Sequence, residues 1–309
     1  MKTERAAMKE VIIIGAGPAG MTAAIYAADA GLTVRLIEKG MYGGQMTTTA
    51  RIENYPGFTE IAGWDLSQRM FECVTASGVS LTTDNVLSLE RSGSNYKVIC
   101  QKNTYEATAV IIANGVTRRK LDIPGEKEFA GKGVSYCAVC DGNFFRGRDV
   151  AVIGGGNSAL EDAAYLGGIC RRVYLIHRRD KFRADDKYVR AIDSFDNIER
   201  VLSHVPIRII GNETLTGIEV KDLKTDIKRS IPVSGIFAAT GLISDNSAYS
   251  GVVDLTEEGY IVSDENCLTS APGVFAAGDT RQKKLRQIVM ACADGASAAK
   301  RALEYLNGV

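Results

Sequence analysis

Cys137-Ala138-Val139-Cys140-Asp141-Gly142 sets two thiols three residues apart, with a carboxylate beside the second. At that spacing the sulfurs can close a local disulfide, and a helix start at the first would favour a thiolate. The pair therefore suits reversible two-electron chemistry. Asp141 adds a proton donor and acceptor that a merely packed pair of cysteines does not need. A zinc site wants four ligands, yet the chain has no second Cys-x-x-Cys and only two histidines, His177 and His204, so no metal is expected. Cys73, Cys100, Cys170, Cys267 and Cys292 are scattered and are expected to be small buried hydrophobes. This usage fits a reducing compartment rather than a secreted disulfide framework.

Two nucleotide signatures bracket the pair. Val11 to Ile14 is an apolar β-branched run, the pattern of a strand covered on both faces, and it leads into Gly15-Ala16-Gly17-Pro18-Ala19-Gly20. A helix is expected from Pro18 to about Ala30, then a strand from Thr33 to Ile37 that carries Glu38 and Lys39 at its end. Gly-x-Gly-x-x-Gly inside such a β-α-β unit, with an acid about twenty residues on, is a dinucleotide fingerprint. Its glycines permit a tight turn, the helix N-terminus receives a pyrophosphate, and Glu38 accepts from ribose hydroxyls. The loops at Gly43-Gly44-Gln45 and Asn54 offer amides that can lie along an extended cofactor, and the buried strand Val110 to Ala113 closes on Asn114-Gly115.

The second unit opens at Asp149 and runs through Gly154-Gly155-Gly156-Asn157-Ser158-Ala159, with Gly154, Gly156 and Ala159 in the three fingerprint positions. Its next strand, Val173 to Ile176, ends in His177-Arg178-Arg179, with Arg183 four residues further, and not in an acid. Arginines there match a 2′-phosphate through forked, charged contacts, so the second nucleotide is expected to be NADP(H). Beyond it, Gly273 to Asp279 reads as a buried strand that presents Gly278 and Asp279 at its carboxyl end. A last helix is expected over Arg286 to Leu306, with Arg286, Gln287 and Ile288 at a cofactor-facing N-terminus. Elsewhere a helix is expected from Trp64 to Ser77. Strands are expected at Val79 to Leu89, Tyr96 to Lys102, Ile198 to Gly211 and Leu215 to Ile227.

At 309 residues and 45% hydrophobic content the chain can bury two sizeable cores. Lys plus Arg equals Asp plus Glu at 37 each, so no overall field draws it to nucleic acid or an anionic membrane, and neither is expected as a partner. No apolar run reaches the roughly 18 residues of a membrane span, and Met1 to Glu10 reads as a charged leader rather than a signal peptide. A soluble, cytoplasmic protein is expected.

Taken in order, the first fingerprint, Gly43-Gly44-Gln45, Cys137 to Gly142, the Gly-Gly-Gly-Asn unit, the His-Arg-Arg cluster and Gly278-Asp279 resemble the low-molecular-weight bacterial-type thioredoxin reductases over nearly the whole chain. The resemblance implies an α/β fold of two Rossmann-like three-layer domains, with an NADPH domain (119–246) inserted into an FAD domain (1–118 and 247–309). It implies FAD and NADPH as cofactors, thioredoxin or a thioredoxin-like protein as partner, and a homodimer. It assigns Cys140 to the flavin side, Cys137 to attack on thioredoxin, and Asp141 to the proton. The chain departs from the family at Asn114, where Thr is common, and at Asn143, which precedes Phe144-Phe145 where an aromatic often follows the glycine directly. A flavin reductase or ferredoxin-NADP reductase would share both fingerprints but has no need of the Cys-x-x-Cys. A peroxiredoxin-reducing relative would normally carry an added N-terminal domain, and an NADP(H)-sensing module would show no turnover.

Overall fold

In a computed structural model of the chain, residues 10–49 and 52–308 are described, and the charged leader up to residue 9 lies outside them. The chain divides into two compact units. One runs to Thr48 and takes in Ile52–Thr117 and everything from Ile243; the other is built on Arg118–Leu242.

In the first unit, alternate residues of one strand face different partners. Val11 and Ile13 point into a core shared with helices, while Ile12 and Ile14 point into a second core on the opposite face. Such two-sided burial is what an uninterrupted apolar strand is suited to. Glu10–Ile14 lies at the centre of a five-stranded sheet ordered Val274–Ala276, Ala109–Ile112, Glu10–Ile14, Thr33–Glu38, Leu81–Thr83, with every neighbouring pair parallel. Helices Pro18–Asp29, Gly63–Ala76 and Ile288–Asn307 line one face, and an antiparallel sheet of Val86–Ser92, Asn95–Cys100 and Thr104–Ala107 covers the other. A Cβ at Gly295 would overlap the Ala19 carbonyl oxygen, so glycine there lets the last helix approach the first at backbone distance.

The second unit repeats the plan. Its five-stranded parallel sheet runs Ile198–Leu202, Arg172–His177, Asp149–Ile153, Gly235–Ala238, Val134–Ser135. Helices Asn157–Gly167 and Asp186–Asp193 pack on one side through Leu160, Leu166 and Ile192. An antiparallel sheet of His204–Gly211, Leu215–Asp222 and Lys228–Pro232 packs on the other through Ile209, Ile218 and Ile231.

Several expected elements divide or shorten. The strand expected over Val79 to Leu89 is two, Leu81–Thr83 in the parallel sheet and Val86–Ser92 in the antiparallel one. The break is held by Asp84, whose Oδ1 accepts from the neighbouring Asn85 N–H at 2.8 Å, a local bond that competes with a strand ladder, and from the distant Lys102 N–H at 3.1 Å. Ile198 to Gly211 likewise divides at Ser203, a non-glycine residue with φ 57°, which sends its two halves into different sheets. The strand from Leu215 stops at Asp222, where Oδ1 takes the Lys224 N–H at 2.7 Å. The last helix begins at Ile288, because Gln287 is extended at φ −138°, ψ 156°. Of the five isolated cysteines, Cys100, Cys170 and Cys267 are buried, but Cys73 is exposed and Cys292 only half-buried, contrary to expectation. Burial pushes the thiols of Cys100 and Cys170 up to about 11 and that of Cys267 up to about 12.

Candidate active site

Cys137 and Cys140 are joined in a disulfide with Cα atoms 5.3 Å apart, and both residues are half-buried. Cys137 is extended and caps the short helix Ala138–Asp141. Its Sγ accepts the Cys140 N–H at 3.2 Å, and its carbonyl accepts the Asp141 N–H at 3.1 Å. The turn sits close against helix Asn157–Gly167, since a Cβ on Gly142 would press on Tyr165 and Leu166. Two residues upstream, the Ser135 hydroxyl lies 2.6 Å from Asp141 Oδ2 and accepts the Cys137 N–H at 3.1 Å. Val139 is exposed and Phe144 is 41% exposed, whereas Phe145 packs edge-on against buried Phe237 at 5.4 Å. A cavity of ≈ 490 Å³ is lined by Ser135, Asp141, Phe144, Lys132 and Arg148 among others.

The second fingerprint lies in the same unit. Gly154 follows strand Asp149–Ile153, and a Cβ on it would overlap the Ala239 carbonyl oxygen. A Cβ on Gly155 would overlap the His177 ring, whereas one on Gly156 meets nothing within 4 Å, so this middle glycine faces open space in which a ligand can approach the backbone. Asn157 and Ser158 start the helix and are exposed; Asn157 Nδ2 donates to Asp185 Oδ2 at 3.2 Å, and its Oδ1 accepts the Asp185 backbone N–H at 2.9 Å. Arg178 and Arg179, just past the strand, and Arg183 are exposed, and the Arg183 N–H donates to the Gly155 carbonyl at 2.7 Å. The backbone of Arg183 is thus tied to the glycine turn. His177 differs from them: it is 6% exposed, stacks on Phe182, and is held neutral as burial, then the charge of Arg183, lower its pKa.

In the first unit, Gly15 at φ 104° passes so near Ala113 that a Cβ would overlap its carbonyl, and a Cβ on Gly20 would overlap the Gly15 carbonyl. Gly17 again has nothing within 4 Å. Glu38 is bound into the turn, Oε2 accepting the Ala16 N–H at 2.8 Å and Oε1 the Gly40 N–H at 3.1 Å. It lines a cavity of ≈ 280 Å³ together with Gly15, Lys39, Asn114, Gly115 and Tyr249. Pro18 and Ala19 open the helix. Gly43 donates to the Ala16 carbonyl at 2.7 Å, and a Cβ on Gly44 would lie 3.4 Å from Gly17 Cα, so this loop flanks the fingerprint. Gln45 Nε2 donates to the Val116 carbonyl at 2.7 Å and Asn54 Nδ2 to Gln287 Oε1 at 3.0 Å. Gly278 at φ 80° lies against Ala19, with half-buried Asp279 next to it. Arg286 stacks on Tyr260 at 4.4 Å, and half-buried Ile288 is the first helical residue.

Three groups near these sites escaped the sequence reading. Ser135 is the nearest to the thiols, and its place two residues before Cys137 was a usable signal. Asp294 sits on the buried face of the last helix at 5% exposure. It holds Arg281 through two bonds of 2.8 and 3.0 Å, Lys283 at 2.7 Å and the Gly278 N–H at 2.9 Å. An acid amid alanines was visible, but its partners were not. Asn114, noted only as a departure, joins Asn246 at 3.1 Å and Thr280 at 2.8 Å in one amide and hydroxyl network.

Similar proteins match the chain along nearly its whole length. A thioredoxin reductase of Listeria innocua is 42% identical over 300 residues, 96% of this chain and 94% of the relative. One from Bacillus subtilis is 42% identical over 303 residues, covering 96% and 95%. The crystal structure of thioredoxin reductase from Streptococcus pyogenes superposes with a TM-score of 0.92 at 39% identity, covering 98% of this chain and 100% of that one. The family model of pyridine nucleotide-disulphide oxidoreductases matches residues 9–295, and this chain belongs to that family.

Proposed function

We propose that the chain is a thioredoxin reductase, which reduces the thioredoxin disulfide at the expense of NADPH through FAD and the Cys137–Cys140 pair. The observation that carries the reading is the Cys137–Cys140 disulfide with Asp141 beside it, on the unit whose glycine turn is bonded by the Arg183 backbone. The residues present fit two dinucleotides: each unit has one fingerprint glycine facing open space and neighbours whose glycines are required by close backbone contact. The first unit, with Glu38 and no arginine cluster at its turn, suits FAD; the second, with Arg178, Arg179 and Arg183, suits NADPH. When bound, these cofactors supply hydride transfer and the delivery of an electron pair.

The chain's own residues then account for the exchange. Two electrons and two protons open the disulfide to two thiols. The Cys140 N–H that reaches Cys137 Sγ favours a thiolate on Cys137, which suits it to attack one sulfur of the thioredoxin disulfide. A mixed disulfide forms as the other thioredoxin sulfur leaves, and Cys140 attacks Cys137 to restore the enzyme disulfide and release the second thioredoxin thiol. Asp141 holds and returns the protons that the leaving sulfurs need. Val139 and Phe144, apolar and exposed beside the pair, offer thioredoxin a docking surface.

We further read the NADPH-binding segment as 119–246, the FAD-binding segments as 1–118 and 247–309, and the working form as a cytoplasmic homodimer. Among the described residues no helix is long and apolar enough to cross a membrane. The test is an anaerobic NADPH titration with the electrons counted. Flavin plus disulfide takes up four and a flavin alone two, so an endpoint of two in the oxidised enzyme removes the disulfide from the path.

A further inference from the structure

Ser135 ends the two-residue strand Val134–Ser135, whose register pairs it with Phe237 of strand Gly235–Ala238. Its backbone is therefore set by the parallel sheet, while Cys137, Cys140 and Asp141 sit on a single short turn beyond it. The side chain is 6% exposed and touches two parts of that turn at once. Its oxygen accepts the Cys137 N–H at 3.1 Å. Its one proton has two acceptors in reach, Asp141 Oδ2 at 2.6 Å and the Cys137 carbonyl at 3.3 Å, and the shorter, charged partner takes it. One hydroxyl thus ties the aspartate and the first redox cysteine to the same point of the sheet.

We propose that Ser135 is a positioning residue for proton transfer at the redox pair. The inference rests on the reading of the chain as a thioredoxin reductase. By donating to Oδ2, Ser135 fixes the rotamer of the Asp141 carboxyl group that carries the proton. By accepting from Cys137 it fixes the backbone from which that sulfur projects. The ≈ 490 Å³ cavity that both Ser135 and Asp141 line gives water a way to the carboxyl group, so the proton surrendered to a leaving thiolate is restored from solvent. The serine itself neither gains nor loses a proton over a cycle.

The experiment compares wild type, Ser135→Ala and Ser135→Thr as FAD-loaded enzymes. It measures NADPH-dependent reduction of thioredoxin, and NADPH-dependent reduction of ferricyanide, an acceptor that bypasses the disulfide. Loss of one hydrogen bond to a charged group is expected to lower kcat for thioredoxin about tenfold in Ser135→Ala, with KM for thioredoxin changed less than about twofold. Ferricyanide turnover should stay at the wild-type rate, and Ser135→Thr, which keeps the hydroxyl, should recover most of the loss. An alanine variant with wild-type kcat overturns the proposal. So does an equal fall with ferricyanide, which marks a structural defect, or a threonine variant as slow as alanine with ferricyanide turnover intact. Wild-type enzyme that fails to reduce thioredoxin overturns the functional reading and this inference with it, whereas the three variant outcomes overturn the inference alone.

Discussion

At the scale of residues, the two cysteines are chemically unequal before any partner arrives. Cys137 Sγ receives a backbone N–H, and the neighbouring hydroxyl fixes its own N–H, while Cys140 is held only through the turn. Cys140→Ser is therefore expected to form a stable mixed disulfide with thioredoxin through Cys137, detectable by non-reducing gel and mass spectrometry. A stable adduct in Cys137→Ser instead, through Cys140, would reverse the assignment. The arginines carry a second residue-scale prediction. Arg178, Arg179 and Arg183 are exposed past the strand that flanks the second glycine turn, where a bound 2′-phosphate would gain charge-assisted bonds of roughly 1.5 to 3 kcal/mol each. Arg178→Ala or Arg179→Ala should raise KM for NADPH at least about tenfold and leave NADH turnover nearly unchanged. Equal losses with both nucleotides would mean that the cluster serves the fold.

At the scale of elements, glycines of one motif have different physical reasons. Gly20 is needed by the protein itself, because a Cβ there overlaps the Gly15 carbonyl, whereas Gly17 faces open space. Gly20→Ala should lower the melting temperature of the FAD-free protein. Gly17→Ala should leave that temperature within about a degree and weaken FAD binding, and the reverse pattern in calorimetry would refute this division. The last helix is tied to the Gly278–Thr280 turn by Asp294. Burial pushes the pKa of Asp294 up, but hydrogen bonds from Arg281 and Lys283 outweigh it and hold the carboxyl below its ordinary value. Since the folded pKa lies below the unfolded one, this group's stabilising contribution is complete above about pH 4 and is lost as pH falls further through the folded value. Asp294→Asn leaves two buried cations without their anion and should cost about 3 kcal/mol at pH 7. It should also remove part of the acid sensitivity below about pH 4, as urea melts on either side of that pH would show.

At the scale of the whole molecule, the disulfide and the arginine-bearing fingerprint belong to one unit, built on Arg118–Leu242, and the other fingerprint to its companion. If, as proposed, this unit also binds NADPH, one rigid body would carry both the nicotinamide and the disulfide and could not offer both to one flavin in a single pose. Turnover is therefore expected to require the two units to turn against each other, with the chain crossings near Val116 to Leu121 and Gly241 to Ser247 absorbing the backbone change. Gly241, at φ 100° with nothing within 4 Å of its Cβ position, has the freedom such a crossing needs. An engineered cross-link between the units should stop NADPH–thioredoxin turnover while FAD stays bound. Undiminished turnover in the cross-linked protein would refute the motion.

Patterns confined to a short stretch of chain were legible from the residues. Both β-α-β units, the buried strands and the Cys137–Cys140 pair depend on period, glycine placement and spacing, which act over a few residues and need no partner from elsewhere. Four fingerprint positions show how far this goes: Gly15, Gly20 and Gly154 are required by backbone contacts, and Gly17 faces open space. Long-range partnerships were not legible. Nothing in the order of residues says that Asp84 ends one strand by binding Lys102, that Asn114 meets Asn246 and Thr280, or that Asp294 gathers Arg281, Lys283 and the Gly278 N–H. The same holds for the isolated cysteines, whose burial turns on what the fold packs over them, so that Cys267 in a loop is enclosed and Cys73 on helix Gly63–Ala76 is left in water. Composition sets how much can be buried, but a polar side chain finds its partner only when packing brings distant segments within hydrogen-bond reach and shuts water out.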